Sequence, residues 1–353
     1  MLSITPVTVA GYQCVVVGRD MDSGLKAIIA IHDTTLGPAL GGARMWPFQS
    51  EDEALQDALR LARGMTCKAA VAGLTLGGGK SVIIGNPANK SEALLRSFGR
   101  LVHSLGGMYI TAEDVGTSQR DMDLIRQETP HVVGVSPELG GSGDPAPYTA
   151  LGVFQGIRAA ALFLWGHPDL RDRAVAVQGV GQVGFELCKL LHNAGARLTV
   201  CDINPENLRR AVSEFNARAV TPEEIYRQEA EIFAPCALGG VINDQTVKQL
   251  RCCAVAGAAN NVLDNDRHGE LLHRRGILYV PDYVINAGGL INVSSELDGH
   301  SRERVIGRTK GIFHTVKEIL AMAQKIDIPP FRATEELVAR KLKHMEKKQV
   351  VEG

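Results

Sequence analysis

Lys68, Lys80 and Asp114 are the residues of this chain whose surroundings most need explaining. Lys68 stands in "RGMTCKAA", Lys80 in "GLTLGGGKSVIIG" and Asp114 in "YITAEDVGTS". Each is set among small or apolar neighbours, where a charge needs a partner or a function. Taken singly, each reads as a salt bridge or a surface charge. The glycines before Lys80 invite a further reading, the phosphate-binding loop G-x-x-x-x-G-K-[ST]. With Gly79-Lys80-Ser81 as its end, the first glycine would have to be residue 74, which is leucine, while Gly73 is one place early. That loop also needs a helix after it, whose N–H groups face the phosphates. Residues 81–84 are instead apolar and β-branched after the serine and predict a strand. A triphosphate-binding role for Lys80 is therefore disfavoured.

A second constellation lies further on. "VAVQGVGQVGFELCKLL" carries Gly179-x-Gly181-x-x-Gly184 between a predicted strand and a predicted helix, with Gln182 and Val183 inside the same cradle. Gly179 permits the tight turn, Gly181 lets a pyrophosphate approach the backbone, and Gly184 lets helix and strand pack closely. The next strand ends in "TVCDIN". Asp202 therefore falls about 20 residues on, where an acid can bind both ribose hydroxyls and repel a 2′-phosphate. The expected cofactor is NAD. The alternative, a structural glycine turn with a surface aspartate, leaves the joint occurrence of strand, glycines, helix and acid unexplained.

The elements that must position these groups can be read from periodicity. A strand is predicted at residues 25–34. A helix is predicted over residues 50–65, with Ser50 and Glu53 as a capping box and Leu55, Ala58, Leu59, Ala62 and Met65 at helical spacing. Lys68 would follow that helix, and Lys80 would sit just before a strand at 81–84. A helix near 91–105 and a strand at 108–111 come next. The Gly/Pro-rich stretch 139–147 predicts a linker. Beyond a long apolar helix, strands at 174–179, 197–203, 231–236, 253–259 and 277–283 mostly alternate with helical patterns, as in βαβ units with a parallel sheet. The expected architecture is α/β with two domains. Residues 1–138 would form a substrate-binding and catalytic domain. Residues 139–328 would form a doubly wound Rossmann domain, and a terminal helix at about 329–353 would return to the first.

Composition narrows the function classes. A length of 353 residues suggests two domains, and 45% hydrophobic content is ordinary for a globular protein. A formal net charge of −1 gives no electrostatic case for nucleic acid or a membrane surface. The cysteine count of 7 is odd, no C-x-x-C occurs, and the 10 histidines contain no H-x-x-x-H pair. No metal site is expected, and a reducing cytoplasm fits best. No signal peptide or membrane-spanning run is evident.

The stretches "TTLGPALGGARMW", "LARGMTCKAAVAGLTLGGGKSVIIG", "YITAEDVGT", "GDPAPYTALGV", "VQGVGQVG", "IFAPCALGGVIND" and "PDYVINAGGLINV" resemble the amino acid dehydrogenases, specifically the leucine, phenylalanine and valine branch. The resemblance runs through nearly the whole chain. It implies NAD-dependent, reversible oxidation of an L-amino acid to a 2-oxo acid and ammonia, in a cleft between two domains of a homo-oligomer (dimer or octamer). It implies that Lys68 binds the substrate carboxylate. Lys80 would act as acid and base on the attacking water, and Asp114 would exchange protons with the substrate nitrogen. The glycines flanking Lys80 would then serve to admit the substrate. A lysine in that role must be partly deprotonated near neutral pH, and burial together with the like charge of Lys68 would lower its pKa. Thr149 would hold the nicotinamide carboxamide and Asn261 the adjoining ribose, although a helix cap and a turn residue are their simpler readings.

The positions that line the family's substrate pocket correspond to Leu40, Gly41, Met65, Ala112, Leu290 and Val293. None could pair with a side-chain carboxylate, so an apolar substrate is implied. Ala112 matches the branched-chain pattern, whereas Leu290 is more usual in the phenylalanine branch. "GGARMW" also departs from the common "GGTRMW". Leucine and other branched-chain substrates are the expectation, with phenylalanine as the alternative. A non-catalytic NAD-binding regulator would leave the trio of Lys68, Lys80 and Asp114 unexplained.

Overall fold

The computed structural model describes residues 1–352, with side chains through residue 347. The chain divides into two compact units. The first comprises Met1–Gly143, Val293–Ser301 and the chain from Val338 onward, and the second comprises Asp144–Asn292 and Arg302–Leu337. The first unit holds a six-stranded mixed sheet and the second a six-stranded parallel one.

In the first unit the strands are β1 (Leu2–Pro6), β2 (Cys14–Asp20), β3 (Leu25–Asp33), β4 (Ala39–Trp46), β5 (Gly77–Ile84) and β6 (Tyr109–Glu113), in the order β1-β2-β3-β5-β4-β6. β3 pairs antiparallel with β5, and β5, β4 and β6 run parallel. Alternation along β3 explains why both faces are covered. Ile28 and Ala30 pack with Ala54, Ala58, Leu59 and Ala62 of α1 (Glu51–Val71). Ile29 and Ile31 belong to a separate cluster with Phe98 and Leu101 of α2 (Glu92–His103) and Met122 and Ile125 of α3 (Gln119–Arg126).

The second sheet contains β7 (Ala174–Gln178), β8 (Arg197–Cys201), β9 (Arg218–Ala219), β10 (Ile232–Pro235), β11 (Ala254–Val255) and β12 (Leu278–Tyr279), in the order β12-β11-β10-β7-β8-β9. That is a doubly wound Rossmann order, reversing at β7. Its helices include α4 (Ala146–Trp165), α5 (Gln182–Asn193), α6 (Pro205–Phe215) and α7 (Asp266–Arg274). Two short helices follow, α8 (Asp282–Ile285) and α9 (Gly288–Ser294), and then α10 (Arg302–Lys310), α11 (Ile312–Ile326) and α12 (Pro330–Glu352).

Three local expectations are corrected. α1 runs through residue 71, so Lys68 lies in its last turn rather than after it. β5 begins at Gly77, so the glycine run is strand and Lys80 lies inside it. The N-terminus of α1 makes half a capping box: Ser50 Oγ accepts from the Glu53 N–H, but the Glu53 carboxylate accepts from Gln49 N–H at 2.7 Å.

Candidate active site

The glycines of β5 are required by packing. A Cβ on Gly78 would lie 2.1 Å from the Thr66 backbone nitrogen of α1, and one on Gly77 2.0 Å from Asp33 O. A Cβ on Gly79 would lie 2.8 Å from the Tyr109 ring, and one on Gly41 only 1.7 Å from Gly79 O. The run therefore lets α1 and the neighbouring strands close on β5, where the sequence suggested substrate access. α1 brings Met65 and Lys68 with it, three residues apart and so on neighbouring positions of the helix surface.

Strand register sets the rest of the first-unit site. Leu40 pairs with Gly78 and with Ile110, and Gly42 pairs with Ala112. Residues alternate between faces along each strand, so Leu40, Arg44, Lys80 and Ala112 share the face that α1 covers. Immediately after β6 the chain turns through Gly116, whose φ of +82° and Cβ position 2.1 Å from Met45 O admit only glycine without strain. Thr117 Oγ accepts from Asp114 N–H at 2.9 Å and donates to Ala43 O at 2.8 Å, tying this turn to β4.

Asp114 is delivered in this way onto Lys80. Lys80 Nζ lies 2.8 Å from Asp114 Oδ2, with the Lys80 side chain 6% exposed and that of Asp114 24%. Burial pushes the lysine pKa below its ordinary value. Asp114 opposes that shift, and the like charge of the Arg44 guanidinium assists it. For Asp114, burial acts to raise the pKa, but Lys80 and Arg44 outweigh it and hold the carboxyl below its usual range. The pair can thus exchange a proton within a site where the lysine is more acidic than in water.

Sequence reasoning missed Arg44 and Asp57. Arg44 Nε donates to Asp114 Oδ2 at 3.0 Å, and its NH1 donates to Asp57 Oδ2 of α1 at 2.9 Å. A signal was present: Arg44 is the single charge in "GGARMW", a motif otherwise made of small and apolar residues. No group of three or more His, Cys, Asp or Glu side chains placed to hold a metal occurs among the described residues.

The second unit carries the dinucleotide positions. Gly179 has φ +90° and packs against Ala237, and a Cβ on Gly184 would lie 2.0 Å from Gly179 O. A Cβ on Gly181 would enter open space. Gly181 and Gln182 are exposed where α5 begins, Val183 is half-buried and Gly184 buried. These features fit a diphosphate seated on the α5 N-terminus. Asp202 accepts from Val180 N–H and from Asn204 N–H, each at 2.7 Å, which fixes its carboxylate at the glycine turn. Thr149 Oγ donates to Pro145 O within the first turn of α4, and Gly289 abuts that hydroxyl. Asn261 is exposed at φ +53°, in the loop after β11. Leu290 is buried in α9 within the second unit, and half-buried Val293 is grouped with the first.

The profile of "Glu/Leu/Phe/Val dehydrogenase, dimerisation domain" matches residues 12–131, and that of "Glutamate/Leucine/Phenylalanine/Valine dehydrogenase" matches residues 200–349. Leucine dehydrogenase of Geobacillus stearothermophilus is 56% identical over 337 residues, spanning 95% of this chain and 92% of the relative. The chain belongs to the Glu/Leu/Phe/Val dehydrogenase family. It is an amino acid dehydrogenase, an oxidoreductase of the CH–NH2 group. Phenylalanine dehydrogenase of Caldalkalibacillus thermarum is 45% identical, covering 97% of this chain and 94% of its own. The crystal structure of L-tryptophan dehydrogenase from Nostoc punctiforme superposes with a TM-score of 0.86 at 44% identity, over 96% of this chain and 97% of that one. This dehydrogenase has no helix long and apolar enough to cross a membrane among its described residues.

Proposed function

We propose that this dehydrogenase carries out the reversible, NAD-dependent oxidative deamination of leucine and other branched-chain L-amino acids, giving the 2-oxo acid, ammonia and NADH. The observation that carries the reading is the buried Lys80–Asp114 pair at 2.8 Å, on the face shared with Leu40 and Ala112. Lys68 pairs with the substrate carboxylate through a charge-assisted hydrogen bond. Asp114 takes a proton from the substrate nitrogen. NAD, when bound, supplies the hydride acceptor. Lys80, its basicity reduced by burial, then takes a proton from the water that adds at Cα and returns it as ammonia leaves.

On this reading Leu40, Met65, Ala112 and Val293 of the first unit offer apolar surface to the substrate side chain, and Leu290 of the second unit is assigned to it from the family resemblance. Gly41 allows the close approach of β4 and β5 beneath them. Thr149 and Asn261 hold the nicotinamide end, and Asp202 selects NAD over NADP. Neither nearby arginine is directed at Asp202: Arg209 donates to Pro205 O, and Arg210 pairs with Glu214 over the Phe185 ring. The seven cysteines are all free thiols, which suits a reducing cytoplasm.

The test is a panel of L-amino acids with NAD at alkaline pH, read by NADH absorbance. Highest kcat/KM for leucine, isoleucine or valine is expected. Preference for phenylalanine, the reading that Leu290 favours, would move the enzyme to the aromatic branch. NAD binding without turnover on any member would overturn the proposal.

A further inference from the structure

Lys80 and Arg44 both converge on a single oxygen of Asp114, Oδ2, at 2.8 and 3.0 Å. Oδ1 of Asp114 makes no hydrogen bond among the described residues, and the side chain, 24% exposed, leaves it open to solvent. Two cations fastened to one oxygen leave the other to meet something else. Arg44 is fixed in turn from its far side. Asp57 Oδ2 accepts from Arg44 NH1, and Asp57 Oδ1 accepts from Arg60 NH2 at 2.8 Å. The result is a chain of alternating charge, Arg60–Asp57–Arg44–Asp114–Lys80, running from exposed Arg60 on α1 to buried Lys80 on β5.

We infer that Arg44 is a positioning residue for the deamination chemistry: braced by Asp57, it holds Asp114 so that Oδ1 faces the substrate nitrogen while Oδ2 stays on Lys80. The inference rests on the proposed function and deepens it. A planar guanidinium suits the task because it can address two carboxylates at fixed angles, which one ammonium cannot do. Without it, Asp114 keeps one partner and can rotate to offer Lys80 either oxygen. Charged and titratable groups come to this place from every element around it. α1 brings Asp57 and Arg60, and Lys68, which has interactions of its own. β4 brings Arg44 and β5 Lys80. The segment after β6 brings Asp114, whereas the phenol of Tyr109 on β6 belongs to the opposite face of the sheet, committed to Gly41 O and Ser81 Oγ.

The experiment compares wild type with Arg44→Gln, Arg44→Lys and Asp57→Asn in the full chain. Two readouts are taken. One is kcat and KM for leucine across pH. The other does not depend on turnover: the pH midpoint for labelling the Lys80 amine with an amine-reactive reagent, followed by peptide mass spectrometry. Arg44→Gln should lower kcat on the order of 10²-fold, the scale of a reacting group misplaced by an ångström, with KM changed much less. Its labelling midpoint should move to higher pH, because a like charge has been removed from beside Lys80. Arg44→Lys should restore the midpoint but not kcat. Asp57→Asn should lower kcat less than Arg44→Gln does while keeping NAD affinity, and it carries the test if Arg44→Gln does not fold. Arg44→Gln with kcat within about threefold of wild type at every pH would overturn the inference. So would full recovery of kcat by Arg44→Lys, or an Asp57→Asn enzyme indistinguishable from wild type. Wild type inactive on every amino acid would instead sink the proposed function, and the labelling midpoints would still report whether Arg44 acts on Lys80.

Discussion

Replacing Lys80 by alanine is the sharpest perturbation of the catalytic reading. The size of the effect follows from what remains in place to substitute for the amine. Asp114 stays but has its own proton to carry. Arg44 cannot be deprotonated. Tyr109, the nearest phenol on β6, already donates to Gly41 O and has its pKa pushed further above its ordinary value by burial. With no understudy, the loss should fall in the upper part of the range for general acid–base catalysis, about 10³–10⁴-fold in kcat, or roughly 4–5.5 kcal/mol at 1.36 kcal/mol per decade. The fold should survive. Breaking a fully buried pair costs about 3–5 kcal/mol. Asp114 is a quarter exposed and keeps Arg44 at 3.0 Å, so a loss nearer ~1–2 kcal/mol of stability is expected. NAD affinity should be unchanged, because the glycine turn and Asp202 belong to the other unit. Steady-state kinetics at saturating leucine, a denaturant titration and NADH fluorescence titration measure the three quantities. An alanine variant that keeps more than a tenth of wild-type kcat, a loss under ~1.4 kcal/mol, would remove Lys80 from the acid–base role.

NAD should be used with a higher kcat/KM than NADP, because the Asp202 carboxylate is anchored at the glycine turn; equal values for the two cofactors would mean that it does not face the ribose. Gly184→Ala should destabilise by about 1–3 kcal/mol through overpacking against Gly179 O. Gly181→Ala, whose Cβ meets nothing, should melt like wild type while binding NADH more weakly, and paired melting and binding curves separate the two. Asp20 is held at a pKa of about 2, first by the hydrogen bond from Ser97. Its folded pKa is depressed, so its contribution is present above the unfolded value and fades as pH falls from about 4 towards 2. Asp20→Asn should therefore lower Tm at neutral pH and flatten the acid limb of Tm between those values; an unchanged limb would show that other carboxylates govern it.

Legibility in the sequence followed the locality of the interaction. The dinucleotide turn could be read because strand, glycines, helix and acid are contiguous, and each glycine answers a constraint set by its near neighbours. Gly184 meets Gly179, five residues away. Lys68, Lys80 and Asp114 stood out for a related reason, charge among small residues, and their roles came from resemblance of whole motifs rather than from spacing. Element ends were less legible. Three successive glycines suggested a loop at 77–79, yet the strand continues through them because α1 needs Gly78 to approach. Helical periodicity faded after Met65, but packing on β5 carries α1 to residue 71. The capping box split because the Glu53 carboxylate met a nearer donor in Gln49.

The family, the two-unit α/β plan, the glycine turn and the charged trio are all carried by the order of residues along the chain. How Lys80 and Asp114 are wired to each other and to Arg44 depends instead on long-range packing. Asp114 is 70 residues from Arg44 in the chain, and nothing in their spacing links them. They meet because β4 is sandwiched in parallel between β5 and β6, a register fixed by hydrogen bonding and by burial of both sheet faces. The same register puts Lys80 on the face that α1 shields from water, and that burial, which no local pattern encodes, is what lowers its pKa.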